Sequence, residues 1–392
     1  MRDDTKTTRA GRHPERYHGT VNPPVYHAST VLSQTLAEYE QKKRDWVAET
    51  PGVYYYGRHG TPTTESLQEA IAELEGGHRT AVYPSGLAAC AGALLCGLSA
   101  GDHLLMADTV YAPTRNFAKR VLGRYGVETT FFDPLAGAGI EVMFRANTRM
   151  VFLESPGSLT FEVQDVPAIT QVAHARGALV AIDNTWATPL YFKPFTHGVD
   201  LSVQSATKYI IGHADAMIGT VTATRDAWPR LKALTYDLGQ TAGPDDVYLA
   251  QRGLRTMAVR LKQHWETGVA LAQWIARRPE VERVLHPALP GDPGHELWKR
   301  DFLGASGLFG VVLKPVSYAA FAAFVDGLEL YGLGASWGGF ESLIAPFHPN
   351  EVRTATHWPH PGPCFRIHAG LEHVEDLIAD LDEGFKRLRA SP

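Results

Sequence analysis

Short apolar runs alternate with amphipathic ones from about Thr61 onward. TTESLQEAIAELEGG spaces its apolar residues for one helix face and predicts a helix ended by Gly76 and Gly77. RTAVYPSG predicts a short strand and a turn, and LAACAGALLCGL, apolar almost throughout, a buried helix. HLLMADTVY, VETTFFDP, TRMVFLESP, GALVAIDNTW and VDLSVQSATK read as strands. VPAITQVAHARG reads as a helix with proline near its start. Strands this apolar, with helices between them, predict an α/β fold whose mostly parallel sheet is sandwiched by helices. In such sheets ligands bind beyond the carboxyl ends of the strands.

The pattern changes after Thr241. DDVYLAQRGLRTMAVRLKQHWETGVALAQWIARRP predicts one long helical stretch. LFGVVLKP, SYAAFAAFVDGLEL, CFRIHAG and the helix HVEDLIADLDEGFKRLRA follow, which predicts a smaller C-terminal α/β domain. Residues 1–60 carry VNPPVYHAST and ETPGVYYYGRHGTPT and read as irregular. The expected division is therefore 1–60, 61–254 and 255–392, with the last boundary inside the long helical stretch. A chain of 392 residues is long for one core, which agrees with more than one domain.

Charge and composition remove several classes of function. Lys plus Arg total 37 and Asp plus Glu 42, giving −5 with no basic block, so neither nucleic acid nor an anionic membrane is an expected partner. No apolar run approaches the ~20 residues of a membrane span. MRDDTKTTRAGRHPERYHG has no apolar signal core. Cys90, Cys96 and Cys364 form no C-x-x-C pair, and together these features lead to an expected cytoplasmic location. There is no H-E-x-x-H, and His357 and His360 fall in a proline-rich loop, so no metal site is expected.

The candidate chemistry sits at strand ends. VAID stops at Asp183, LSVQSATK reaches Lys208, and LLMADTVY reaches Tyr111. On a parallel sheet such ends can meet at one rim. A lysine partly removed from water loses its charge more readily, becoming a nucleophile and a base able to form a Schiff base. Ser205 and Thr207 add hydroxyl donors, Gly86 opens a helix suited to phosphate, and Arg58 offers a fork of donors. Asp183 suits a protonated pyridine nitrogen and Tyr111 a flat aromatic ring. The combination points to pyridoxal 5'-phosphate. Taken singly, each residue has a plainer explanation: a solvated lysine, a turn-capping aspartate, a packed tyrosine, a surface arginine at position 366. GLGASWGG resembles a dinucleotide loop, but Trp337 takes the place of its third glycine.

The chain resembles the Cys/Met-metabolism family of pyridoxal-phosphate enzymes, of fold-type I. The resemblance runs from VNPPVYHAST to LIADLDEGF. Its motifs are YYGRHGTPT, ELEGG, DHLLMADTVYAPT, VFLESPGS, AIDNTWATP, SATKYIIGHADAMIG, QRGLRTMAVRLKQH, HPALPG, SWGGFESL and CFRIHAGLE. It implies a transferase-like fold with Lys208 as covalent anchor and catalytic base, Asp183 as partner of the pyridine nitrogen and Tyr111 as the stacking, catalytic tyrosine. It implies phosphate contacts from Gly86, Leu87, Ser205 and Thr207. Tyr56 and Arg58, in an N-terminal arm, are implied to reach the site of a neighbouring subunit, so a homo-oligomer is expected, a tetramer built as a dimer of dimers. Arg366, Ser336 and Trp337, with Tyr56 and Tyr111, are implied on the substrate side.

Trp337, Ala112 and Pro113 fit the β-acting branch, which breaks a carbon–sulfur bond at Cβ, rather than the γ-acting members. The implied reaction is cleavage of cystathionine to homocysteine, pyruvate and ammonia, with other cysteine S-conjugates as further substrates. A cysteine or cystine desulfhydrase, or a γ-acting member, is the alternative. Asn116 stands where the β-acting relatives are expected to carry an acid.

Overall fold

A computed structural model describes residues 1–390; Ser391 and Pro392, at the end of the expected 255–392 unit, lie outside the described residues. Among the described residues, twelve strands form two sheets. The first contains β1 (Arg79–Tyr83), β2 (His103–Ala107), β3 (Glu128–Phe132), β4 (Thr148–Glu154), β5 (Leu179–Asp183), β6 (Leu201–Gln204) and β7 (Gly219–Ala223). Their order is β1-β7-β6-β5-β4-β2-β3. The neighbours from β6 to β3 pair in parallel, whereas β7 is antiparallel to both β6 and β1. The predicted mostly parallel sheet is therefore observed, with one reversed strand that the sequence pattern did not reveal. GTVTA, the segment of β7, is rich in threonine and lacks a strong apolar run, although every residue in it is buried.

This topology gathers chain ends at one rim. Because β7 opposes both neighbours, β1 runs in the same direction as β6. The segments leaving β1, β2, β4, β5 and β6 consequently emerge at the same edge of the sheet. Helices form where their termini are provided for. Pro62–Glu75 has Pro62 in its first turn, Thr61 accepting from the Thr64 N–H, and Gly76 in the left-handed region at φ 77°. Gly86–Gly97 is capped by Ser85, whose hydroxyl accepts the Ala88 N–H at 3.2 Å.

The second sheet contains β8 (Val281–Leu285), β9 (Leu308–Leu313), β10 (Gly332–Leu333), β11 (Leu343–Phe347) and β12 (Cys364–His368), in the order β10-β11-β12-β9-β8. All of its pairings are antiparallel except β10 with β11. Buried residues of Met257–Ile275, Tyr318–Asp326 and Val374–Ala390 form its core with Phe309, Val311 and Phe365.

Two regions differ from the sequence expectation. The stretch read as irregular contains helices Asp3–Arg9 and Leu36–Val47. The second buries none of its residues, so it leaves no apolar stripe to read. The expected single long helix is two, Pro244–Leu254 and Met257–Ile275. At the break the Gly253 carbonyl accepts the Thr256 N–H at 3.1 Å and also Arg260 Nη2 at 2.7 Å. Arg260 also donates to the carbonyls of Tyr209 at 2.8 Å and Ile210 at 3.2 Å. Gly253 itself must be glycine, since a Cβ there would lie 2.3 Å from the Ile211 oxygen.

Arg260→Ala takes the partner from the Tyr209 and Ile210 carbonyls, and each unmatched one costs about 1–3 kcal/mol. A loss of about 3 kcal/mol or more is expected, read as a lower thermal midpoint together with reduced activity. An unchanged midpoint would show that the clamp on residues 209–210 is dispensable.

Candidate active site

The segment linking β6 to β7 carries Lys208. It leaves the sheet as a tight turn, in which the Lys208 N–H donates to the Ser205 carbonyl at 3.0 Å and the Gly212 N–H to the Lys208 carbonyl at 2.7 Å. Thr207 ties the outgoing and returning limbs: its hydroxyl donates to the Ile218 carbonyl at 3.1 Å and accepts the Ile218 N–H at 3.0 Å. Arg260 closes the turn from below. The side chain of Lys208 is half-buried, and its Nζ donates to Ser336 Oγ at 2.5 Å and lies 5.2 Å from the Trp337 ring centroid.

The second sheet supplies the opposite wall. Gly338, at φ 89°, lets the Ser336–Gly339 loop sit directly on the Lys208 backbone; a Cβ there would meet Lys208 at 3.0 Å. His368 Nε2 bonds the Gly339 carbonyl at 3.1 Å and fixes this loop to β12. Arg366, on the same strand, donates through Nη2 to the carbonyls of Ala335 at 3.1 Å and Ser336 at 3.0 Å.

Burial pulls Lys208 down to about 8, the Arg366 cation pushes it the same way, and Asp183 acts against both. Burial likewise brings Arg366 down to about 10, where it remains cationic at neutral pH. Asp183 is buried at the end of β5 and raised by that burial. Opposing the shift, the Thr185 hydroxyl and N–H donate to its Oδ1 at 2.5 and 3.0 Å, and Cys90 Sγ lies 3.7 Å from Oδ2. The Ser205 N–H donates to Thr185 Oγ at 2.8 Å, which joins the ends of β5 and β6.

At the end of β1, the first turn of the Gly86 helix meets this group. A Cβ on Gly86 would fall 2.4 Å from Ser205 Oγ, so glycine is what allows the helix N-terminus to approach that hydroxyl. Gly86, Leu87, Tyr111, Asp183, Ser205, Thr207, Lys208, Ser336, Trp337 and Arg366 all line one cavity of about 560 Å³. Tyr56, Arg58 and Asn116 do not line it. Arg58 instead donates to the Tyr236 carbonyl at 2.9 Å and stands 5.4 Å from the Tyr56 ring centroid. Asn116 is exposed on the helix Ala112–Arg120.

The cavity also contains residues that the sequence analysis assigned no role. Cys90 and Thr185 engage Asp183 as described. Glu154, at the end of β4, lies in register with Asp183 and accepts the Tyr111 N–H at 2.6 Å. Its signal was available: VFLESP ends a strand on a carboxylate just as VAID does.

The donor set fits pyridoxal phosphate. An amine depressed to about 8 can join an aldehyde, a buried carboxylate can accept a pyridine N–H, and a helix N-terminus beside the Ser205 hydroxyl can receive a phosphate. Among the described residues, no group of three or more His, Cys, Asp or Glu is arranged to hold a metal ion, and no helix is long and apolar enough to cross a membrane.

Comparison with known proteins gives the same picture. The chain is 50% identical over 386 residues to a putative cystathionine beta-lyase of Rhizobium johnstonii, covering 97% of this chain and 95% of the relative. It is 46% identical over 391 residues to the cystathionine beta-lyase of Salmonella typhimurium, covering 98% of each. The crystal structure of metB from Corynebacterium glutamicum superposes with a TM-score of 0.89 at 29% identity, over 99% of this chain and 98% of that one. The model of the Cys/Met metabolism PLP-dependent enzymes matches residues 4–386, and the chain belongs to that pyridoxal-phosphate-dependent family.

Proposed function

We propose that this protein is a carbon–sulfur β-lyase that cleaves L-cystathionine to homocysteine, pyruvate and ammonia, and that it accepts other cysteine S-conjugates. The observation that carries the proposal is the contact of Lys208 Nζ with Ser336 Oγ at 2.5 Å, on a rim shared with Asp183 and Arg366. Full-length identity to relatives named cystathionine beta-lyase supports the choice of substrate.

Each residue has a task in this scheme. Lys208 anchors the cofactor, and Ser336 steers its Nζ. Asp183 would accept the pyridine N–H, Tyr111 would cover the ring, and the N–H groups of Gly86 and Leu87 would hold the phosphate with Ser205 and with Thr207, whose hydroxyl would turn from the Ile218 carbonyl to do so. Arg366 grips the substrate α-carboxylate with the N–H groups it does not spend on Ala335 and Ser336. When bound, pyridoxal phosphate supplies an electron sink for charge developing at the substrate Cα. Once the substrate amine has taken its place on the cofactor, freed and unprotonated Lys208 would remove the Cα proton and return a proton to the departing sulfur. Breaking the Cβ–S bond releases homocysteine and an enamine, which takes up water to give pyruvate and ammonia.

Trp337 favours this bond over the one at Cγ. Its ring packs against Tyr209 with centroids 5.4 Å apart, so it is a fixed wall beside Ser336 that restricts the substrate chain. The γ route would also need proton removal at Cβ. Cystine or another S-conjugate as the main substrate is a second reading, which rests on the uncharged residue at position 116 although Asn116 lies outside the cavity lining.

In this proposal residues 1–60 form an arm that delivers Tyr56 and Arg58 to a neighbouring subunit, residues 61–254 hold the cofactor, and residues 255–392 form the smaller domain. The assembly is a cytoplasmic homotetramer of two active dimers.

Incubation with cystathionine tests the reaction through its products. Pyruvate and homocysteine are expected, with little 2-oxobutyrate or cysteine. Dominant 2-oxobutyrate would overturn β-elimination. An inert cystathionine with pyruvate released from cystine would overturn only the substrate.

Subunit mixing tests the arm. Arg58→Ala and Lys208→Ala proteins are each expected to be impaired, yet exchanged hybrids contain one site with both residues and should regain activity. No recovery after proven exchange would place both residues in a single-chain site.

A further inference from the structure

The end of β4 carries a carboxyl that none of these tasks uses. Glu154 faces the cavity in register with Asp183. Its Oε2 accepts the Tyr111 N–H at 2.6 Å, and its Oε1 accepts the Ser158 hydroxyl. The loop that follows β4 is clipped to the loop that follows β2. The Ser158 N–H donates to the Thr109 carbonyl at 2.8 Å, and a Cβ on Gly157 would lie 2.3 Å from Thr109 Oγ1. Tyr111 precedes the helix Ala112–Arg120 without a side-chain capping bond, and its side chain is 46% exposed beside the cavity. The bond to Glu154 is therefore a direct restraint on the backbone from which that ring projects.

We infer that Glu154 is a positioning residue for Tyr111: by accepting its N–H, Glu154 sets the direction in which the Tyr111 ring covers the cofactor. This rests on Tyr111 being the covering ring. Burial and the nearby Asp183 push the Glu154 carboxyl well above the usual carboxylate range. A neutral carboxyl can do the work: Oε2 stays the carbonyl oxygen on Tyr111, and a proton on Oε1 reverses the second bond, so that Ser158 Oγ accepts instead of donating. Glutamine keeps the bond that matters, its amide oxygen accepting the Tyr111 N–H, while its NH₂ donates to Ser158 Oγ in the reversed sense. Aspartate is one methylene too short to reach.

The test combines E154A, E154D and E154Q with Tyr111→Ala in the holoenzyme. It reads kcat, the visible absorption of the bound cofactor, and cofactor affinity by titration of the apoprotein. E154A and E154D are expected to lose about ten- to a hundredfold in kcat with a displaced absorption band, as misplacement near 1 Å does. E154Q should recover most of both. In the Tyr111→Ala background, E154A should change kcat by less than about twofold, because the ring it positions is already gone. E154D keeps the test decisive if E154A does not fold. Wild-type behaviour of E154D, an E154Q as impaired as E154D, or losses that multiply fully in the double variant would each overturn the inference. Tyr111→Ala with unaltered kcat and absorption would overturn the role of Tyr111 as well. An impaired Tyr111→Ala beside wild-type Glu154 variants would overturn the inference alone.

Discussion

An amine gives up its charge near neutral pH where burial strips water from the ammonium or another cation stands near it, and the architecture supplies both at Lys208. Burial brings the side chain to about 8 and the Arg366 cation assists, while Asp183 resists. Such a position is unstable for a long flexible side chain unless the backbone beneath it is fixed. The turn 205–212 is fixed three ways: by Thr207 bridging to Ile218, by Arg260 gripping the carbonyls of Tyr209 and Ile210, and by Gly338 bringing the opposite loop into contact with Lys208. Both sheets thus meet at one residue. The reversed strand β7 belongs to the same solution, since it returns the chain after the turn and leaves Lys208 at the rim.

Three carboxyls near that rim show how surroundings assign different states to the same group. Burial acts to raise Asp108, but the N–H groups of Thr354, Ala355 and Thr356 and the Arg115 guanidinium more than offset it, so Asp108 stays below the usual carboxylate range. It holds the 354–356 segment against the end of β2. Asp183 is raised by burial but keeps donors from Thr185 and Cys90. Glu154, beside Asp183, is raised much further by burial and by that neighbour. Burial is the main cause of both shifts, and Asp183 has three donors opposing it where Glu154 has two.

Much of this was legible in the sequence because the relevant signals were local. Apolar runs gave β1 to β6, and glycine and proline gave the limits of the helices around them. Strand ends placed Asp183, Lys208 and Tyr111 at a common rim, and the cavity contains all three. What escaped lacked a local signature. The helix Leu36–Val47 has no buried face, and β7 owes its burial to its neighbours rather than to its own threonine-rich composition. The break between Leu254 and Met257 exists because a distant turn needs Gly253 and Arg260, a cause no helical periodicity records. Glu154 ended a strand like Asp183 did, but its bond to Tyr111 depends on which strands are adjacent, which sequence order alone does not state.

In the proposed function everything turns on Lys208 being the group that joins the cofactor. Borohydride reduction of the holoenzyme, followed by proteolysis and mass mapping of the modified peptide, tests it most directly. The reduced cofactor is expected to stay on the peptide containing Lys208, and Lys208→Ala protein loaded with cofactor is expected to yield no such adduct. An adduct on another lysine, or equal labelling of the Lys208→Ala protein, would contradict it.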